Sequence, residues 1–145
     1  MATRVEQVRS YVKRCRQPAY RGLLVCRRRD GALLGAINIS QIARGAFRSG
    51  YLDYWIGADF ARQGYMTEAL ALALRYAFRR LKLHRLEANI QPENTHSIKL
   101  VKRLEFLREG YSRRYLRIRG EWRDHERWAV LAEDWVSGAP SVAVT

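Results

Sequence analysis

The segment from residue 51 to residue 81 constrains the fold more than any other part of the chain. It opens with YLDYWIG, whose aromatic and β-branched residues predict a central strand. A short turn containing Gly64 follows, and apolar residues then recur at helical spacing. The apolar face of this predicted helix comprises Met66, Leu70, Ala73, Leu74, Ala77, Phe78 and Leu81. A strand that enters a long amphipathic helix in this way favours a layered α/β architecture.

The remaining segments extend this strand and helix into a mixed sheet layered with helices. The pairs Asp30-Gly31 and Arg119-Gly120 each predict a hairpin turn. Another predicted helix spans residues 6–16, where Val5, Val8 and Val12 fall at helical spacing, and a third spans 95–104. The other predicted strands span 23–28, 32–40, 84–90, 107–118 and 121–131. We therefore predict a single α/β (α+β) domain over residues 1–136, followed by a flexible tail over residues 137–145.

The charge of the chain predicts affinity for polyanions. Lysine and arginine number 27 against 14 acidic residues, which gives a net charge of +13. Nucleic acid, the ribosome and a phosphate-rich cofactor all fit this charge, as does a merely solvated arginine-rich surface. Cys15 and Cys26 lack metal-ligand spacing, and no apolar run reaches the ~20 residues of a membrane span. We expect a cytoplasmic chain with no metal site and no membrane association.

The turn before the long helix is a candidate anion site. Gly64 allows the backbone to approach a ligand closely, and the N–H groups of the first helical turn favour an anion. Arg62 adds a charge suited to a pyrophosphate. Taken alone, this segment is more typical of an ordinary strand-to-helix turn than of an anion site.

A second strand-to-helix segment, NIQPENTHSIKL, follows along the chain. Asn94 or Thr95 can cap its helix. The side chains here should lie beside the Gly64 turn, at the carboxyl ends of the strands, where open α/β sheets bind ligands.

Together these segments resemble the GNAT superfamily of acyltransferases. Gly64 matches the central glycine of the family's Q/R-x-x-G-x-G/A loop, and residues 94–106 match its N-x-x-[AS]-x-x-L…L-G-F pattern. The segments RQGYMTEAL, EGY and GEWRDH resemble the RimJ/RimL branch, which acetylates the N-terminal residue of ribosomal proteins. Val101 stands where many members carry a tyrosine acid.

The resemblance implies the GNAT fold, a mixed and mostly antiparallel sheet flanked by helices, here without the family's first strand and helix. It also implies direct attack of an amine on the thioester of acetyl-CoA, with no acyl-enzyme. Residues expected to bind acetyl-CoA are Ile56, Gly57, Ala58, Arg62, Gln63, Gly64, Tyr65, Met66, Thr67, Asn89 and Asn94.

Three side chains are candidates for catalysis. Ser97 would protonate the departing thiolate, unless it only packs. Asn94 would hydrogen-bond the pantetheine arm or a water, or only cap its helix. Asp53 would hold the acceptor amine or a relay water, or pair with an arginine. The resemblance also implies an oxyanion donor in the backbone N–H near Ile56.

Three functions remain open. The first is acetylation of the N-terminal α-amine of a ribosomal protein, with possible rRNA contact. An α-amine of pKa near 8 is roughly 10% neutral at pH 7, so it needs only a modest base. The second is acetylation of a small amine such as a polyamine or an aminoglycoside. The third is a non-enzymatic ribosome- or RNA-binding module that uses arginines such as Arg27, Arg28 and Arg29.

Overall fold

The computed structural model describes residues 4–135. In chain order the elements are α1 (Arg4–Cys15), β1 (Arg21–Cys26), β2 (Leu33–Ala43), β3 (Ser49–Ile56), a 3₁₀ turn (Ala58–Phe60), α2 (Tyr65–Arg79), β4 (Arg85–Ile90), α3 (Thr95–Arg103), β5 (Leu107–Ile118), β6 (Glu121–Leu131) and a second 3₁₀ turn (Glu133–Trp135). Every predicted helix and strand is present, with ends that differ by no more than a turn. The predicted tail lies outside the described residues.

The strands form one sheet in the order β1-β2-β3-β4-β6-β5. β3 and β4 pair in parallel, and the other neighbours pair antiparallel. The predicted fold class, a mixed and mostly antiparallel sheet flanked by helices, is therefore confirmed. As predicted, the YLDYWIG strand lies inside the sheet.

The core lies between the sheet and α2. Leu70, Leu74 and Ala77 of α2 are each fully buried, and they pack with Ile39 of β2 and Leu86 of β4. α1 lies on the opposite face of the sheet, where Tyr11 contacts Asn38 of β2. Side chains alternate between faces along a strand, so the side chains of consecutive β3 residues lie on opposite faces of the sheet.

The parallel pair β3–β4 is short. Its register includes only Ser49↔Arg85, Gly50↔Leu86 and Tyr51↔Glu87, although β3 continues to Ile56. The two strands therefore diverge after Tyr51 and leave a gap in the middle of the sheet. The Gly64 turn and the first turn of α3 follow the ends of these two strands.

No helix within residues 4–135 combines the length and apolar character that a membrane span requires.

Candidate active site

The turn that begins α2 presents an uncapped helix terminus. Gly64, the N-cap, has φ +83°, a left-handed conformation that glycine adopts without strain, and no side chain caps the helix. Nothing lies within 4 Å of the position that a Cβ of Gly64 would take, so the space beside this backbone is open. The N–H groups of the first helical turn are thus free of side-chain acceptors, as an anion site requires.

A cavity of about 320 Å³ lies beside this terminus, between α2 and α3. The lining residues from the β3–α2 side are Ile56, Arg62, Gly64, Met66 and Thr67. The α3 side contributes His96, Lys99, Leu100 and Arg103. The structure therefore brings together five residues of the predicted cofactor-binding set.

The three basic residues from α3 were missed by sequence reasoning. His96, Lys99 and Arg103 are spaced three and four residues apart, which places them on one face of the helix. This face differs from the one that buries Val101. The spacing was visible in the sequence, but its orientation toward α2 depends on the crossing of two helices. With Arg62 and the α2 terminus, these groups suit a ligand bearing several phosphates.

The gap between β3 and β4 exposes backbone groups of β3. Gly57 N–H donates to the Leu34 carbonyl (2.7 Å), which flanks the Gly35↔Ile56 pair. That pair is therefore of the non-hydrogen-bonded type, and the Ile56 N–H points away from β2. It faces the side where β4 has diverged, as expected for a donor to an oxyanion formed in the gap.

Ser97 and Asn94 lie at the start of α3. Asn94 is the N-cap, and its Oδ1 accepts the Ser97 backbone N–H at 3.2 Å, which is the capping alternative for this residue. The Ser97 side chain lies beside the hydroxyl of Tyr54 on β3. Burial raises the pKa of Tyr54, and the Ser97 side chain opposes part of this rise. Ser97 thus borders the gap on the α2–α3 face of the sheet.

Asp53 lies on the opposite face of the sheet from Tyr54. Its Oδ1 accepts Asn38 Nδ2 at 2.9 Å, and Asn38 Oδ1 accepts the Tyr11 hydroxyl at 2.9 Å. This chain of hydrogen bonds joins α1, β2 and β3. No ion pair of Asp53 is present among residues 4–135, so the arginine pairing considered as an alternative is not observed there. Its exposed carboxylate remains accessible to an external cation.

The other predicted cofactor-binding residues do not line the cavity. The Gly57 N–H is occupied by Leu34, and Ala58 lies in the 3₁₀ turn. The Gln63 side chain donates to the Asp59 carbonyl. Asn89 lies on β4, and its side-chain oxygen is buried without a hydrogen-bond partner in the described part of the chain.

A larger cleft, about 1010 Å³, lies on the far side of α2. Leu23 and Val25 of β1 and Leu72 of α2 contribute to its apolar wall. Of the predicted site residues only Tyr65 lines it. Its size exceeds that of the cavity beside Gly64, and Arg27, Arg28 and Arg29 also line it, but it lies away from the Gly64 turn and from the gap between β3 and β4.

Comparisons with known proteins agree with this geometry. Residues 2–107 match the family model of the acetyltransferase (GNAT) domain. The ribosomal protein uS5-alanine N-acetyltransferase of Escherichia coli is 43% identical over 106 residues, which cover 73% of this chain and 55% of that protein. The chain thus spans about half the length of the curated relatives it matches.

Two solved structures are also similar. Mycobacterium smegmatis RimJ in complex with CoA-disulfide aligns with a TM-score of 0.73 and 38% identity, covering 76% of this chain and 53% of that chain. The ribosomal-protein-S5-alanine acetyltransferase of Vibrio fischeri aligns with a TM-score of 0.79 and 26% identity, covering 89% of this chain and 70% of that chain. The predicted resemblance to the RimJ/RimL branch is therefore confirmed, and the chain belongs to the GNAT acetyltransferase family.

Proposed function

We propose that this protein is an acetyl-CoA-dependent N-acetyltransferase that transfers the acetyl group directly to an amine. The observation that carries the proposal is that Ile56, which lies at the gap between β3 and β4, also lines the cationic cavity at the α2 terminus. A phosphate-bearing cofactor held in the cavity has a path for its arm into the gap. The bound acetyl-CoA supplies an acyl group activated as a thioester.

The residues of the chain divide this work between them. The first-turn N–H groups of α2 bind phosphate oxygens together with Arg62, Lys99 and Arg103. The Ile56 N–H stabilises the negative charge that develops on the carbonyl oxygen when the amine attacks. Ser97 stabilises the departing sulfur from the α3 side. The two thiols take no part, because Cys15 lies on α1 and Cys26 at the end of β1.

The proposed acceptor is the N-terminal α-amine of a ribosomal protein. The names of the relatives from Escherichia coli and Vibrio fischeri support this acceptor. Asp53 supports an amine acceptor in general, because its carboxylate lies on the face of the sheet opposite Tyr54 and can hold an ammonium group. An α-amine also loses its proton at a lower pH than a lysine side chain does.

The charge of +13 motivates a further partner, ribosomal RNA, near the acceptor protein. This contact stays a prediction. Arg27 is already paired with Asp30 at 2.7 Å, so in the Arg27-Arg28-Arg29 run the best candidates for phosphate contact are the latter two.

The proposal is tested by presenting acetyl-CoA to the 145-residue chain with two acceptors in separate reactions, a uS5 N-terminal peptide that begins with alanine and spermidine. Mass spectrometry should show a gain of one acetyl group on the peptide α-amine. Acetylation of spermidine alone would assign a small-amine substrate. Calorimetric titration with acetyl-CoA is run beside these reactions, and a folded chain that does not bind acetyl-CoA would refute the proposal.

A further inference from the structure

The far end of the β5–β6 hairpin is a surface that the proposed acetyl transfer does not use. β4 pairs with β6 only as far as Ile90↔Glu126, whereas β5 and β6 stay paired to Ile118↔Glu121. Residues 113–123, the distal hairpin, therefore form a two-stranded ribbon that no third strand joins within residues 4–135. Most of its side chains are exposed. A two-stranded ribbon on its own is only marginally stable in water, so this one is a candidate for an interaction surface.

The distal hairpin concentrates positive charge. Glu121 is its only acidic residue, and it pairs with Arg123 at 2.5 Å. The remaining arginines make no ion pair within the described part of the chain. All of them are exposed, and they are Arg113, Arg114, Arg117 and Arg119. An unneutralised cluster of this kind attracts phosphate groups.

Trp122 lies among these charges and is 60% exposed. It is the register partner of Arg117, so the indole and the guanidinium lie side by side on one face of the ribbon. Proteins that bind single-stranded nucleic acid combine these two elements: bases stack on an aromatic ring, and nearby cations contact the backbone phosphates. The distal hairpin therefore carries a stacking surface as well as a charge.

We propose that the distal hairpin binds single-stranded RNA, with a base stacked on Trp122 and phosphates held by Arg113, Arg117 and Arg119. A base reaches an indole only when it lies outside a duplex, so a single strand fits better than a double helix. An acidic protein segment could pair with the arginines but offers the indole no base to stack on. The inference rests on the rRNA contact included in the proposed function, and it is independent of acetyl transfer.

The test uses fluorescence anisotropy of a labelled oligouridine of about 12 nucleotides with the 145-residue chain at several salt concentrations. Trp122→Ala should weaken binding about tenfold, as loss of one stacked base implies, and leave the salt dependence unchanged. The double variant Arg117→Ala/Arg119→Ala should reduce the slope of log affinity against log salt by about 1.4, since each lost phosphate contact accounts for about 0.7 on a single strand.

Matched controls separate this surface from net charge. Trp55→Ala removes another exposed tryptophan, and Arg28→Ala/Arg29→Ala removes the same charge from another arginine run. Neither should reproduce the effect of its counterpart, and equal effects would overturn the inference. Equal affinity for the same strand paired with oligoadenylate, or for an oligoglutamate of equal charge, would also overturn it.

The same preparations are titrated with acetyl-CoA by calorimetry. Trp122→Ala should bind acetyl-CoA as the wild type does, because the distal hairpin does not line the cavity beside Gly64. A wild type that binds acetyl-CoA but not oligouridine would overturn this inference and leave the acetyltransferase proposal intact. A folded wild type that binds oligouridine but not acetyl-CoA would refute the acetyltransferase proposal alone.

Discussion

The two faces of the sheet contribute to the proposed site in different ways. On the α2–α3 face, each contribution is local: a glycine in a left-handed turn, a free helix terminus and a row of cations on one helix. On the α1 face, Asp53 is held by Asn38, and Asn38 is held in turn by Tyr11. The first hydrogen bond joins residues 15 positions apart in the sequence, and the second joins residues 27 positions apart. Each group on the cofactor side therefore comes from one short segment of the sequence, although the direction of the basic α3 face depends on packing. The acceptor side, in contrast, is held together by tertiary contacts.

Gly64→Asp should have the largest effect. It places a carboxylate in the open space beside the helix terminus and forces a left-handed conformation on a residue with a side chain. Repulsion of several kcal/mol predicts at least about a 100-fold loss of acetyl-CoA affinity. Calorimetry measures this loss. Gly120→Asp, at a hairpin turn with φ +82°, is the control for charge and backbone strain, and an equal loss in that variant would remove the cofactor assignment from the Gly64 turn.

Asp53→Asn should separate the two faces. The substitution keeps an acceptor for the Asn38 amide but removes the charge that would hold an ammonium group. We expect the KM for the peptide to rise about tenfold while acetyl-CoA affinity is unchanged. Asp59→Asn, in the 3₁₀ turn, is the control. A change in acetyl-CoA affinity with no change in peptide KM would contradict the separation.

Lys99→Ala and Arg103→Ala should each weaken acetyl-CoA binding about fivefold, because exposed ion pairs contribute about 1 kcal/mol or less. The dependence of affinity on salt concentration should also decrease in each variant. Lys102→Ala provides the control, because Lys102 lies on the same helix over the Trp128 ring and does not line the cavity. Equal effects of all three variants would indicate only a general contribution of net charge.

Tyr11→Phe should produce the smallest effect, seen at high pH. Burial, with a smaller contribution from Cys15, raises the pKa of Tyr11 from 10.0 to about 12. The protonated hydroxyl therefore stabilises the fold fully below pH 10, and this contribution is lost as the pH rises through 12. Urea unfolding between pH 8 and pH 12 should show a shallower loss of stability in the variant. An unchanged pH dependence of stability would contradict a stabilising role for the Tyr11 hydroxyl in the hydrogen bonds that join Tyr11, Asn38 and Asp53.

The fold was largely predictable because its signals repeat over long stretches. Periodic apolar residues from Met66 to Leu81 predict helix α2. The pairs Asp30-Gly31 and Arg119-Gly120 predict the two hairpins, and both residues of the second pair adopt positive φ. The ends of the strands β5 and β6 match the prediction, since a two-residue turn leaves little freedom of register.

The site was predictable only in part. Gly64 and Arg62 were expected beside the cavity because turn chemistry is local, and Thr67 was expected there from the family resemblance. The basic face of α3 was missed because its direction depends on how α3 packs. The Tyr54–Ser97 neighbourhood was missed because it joins a strand to a helix across 43 residues, the separation of positions 54 and 97. Val5, Val8 and Val12 give α1 its helical spacing, yet all three are exposed, so periodicity identified the helix and not its partner.

The short parallel register between β3 and β4 has a mechanical consequence. Two three-stranded halves are joined by backbone pairing at only three positions, so the middle of the sheet is its least cross-linked part. An amide-containing ligand arm laid in the gap would pair with the free edge of β3 as an additional strand does. Substrate would then complete the secondary structure of the protein, and the amide hydrogens of Tyr54 and Ile56 would exchange slowly with solvent only while it is bound.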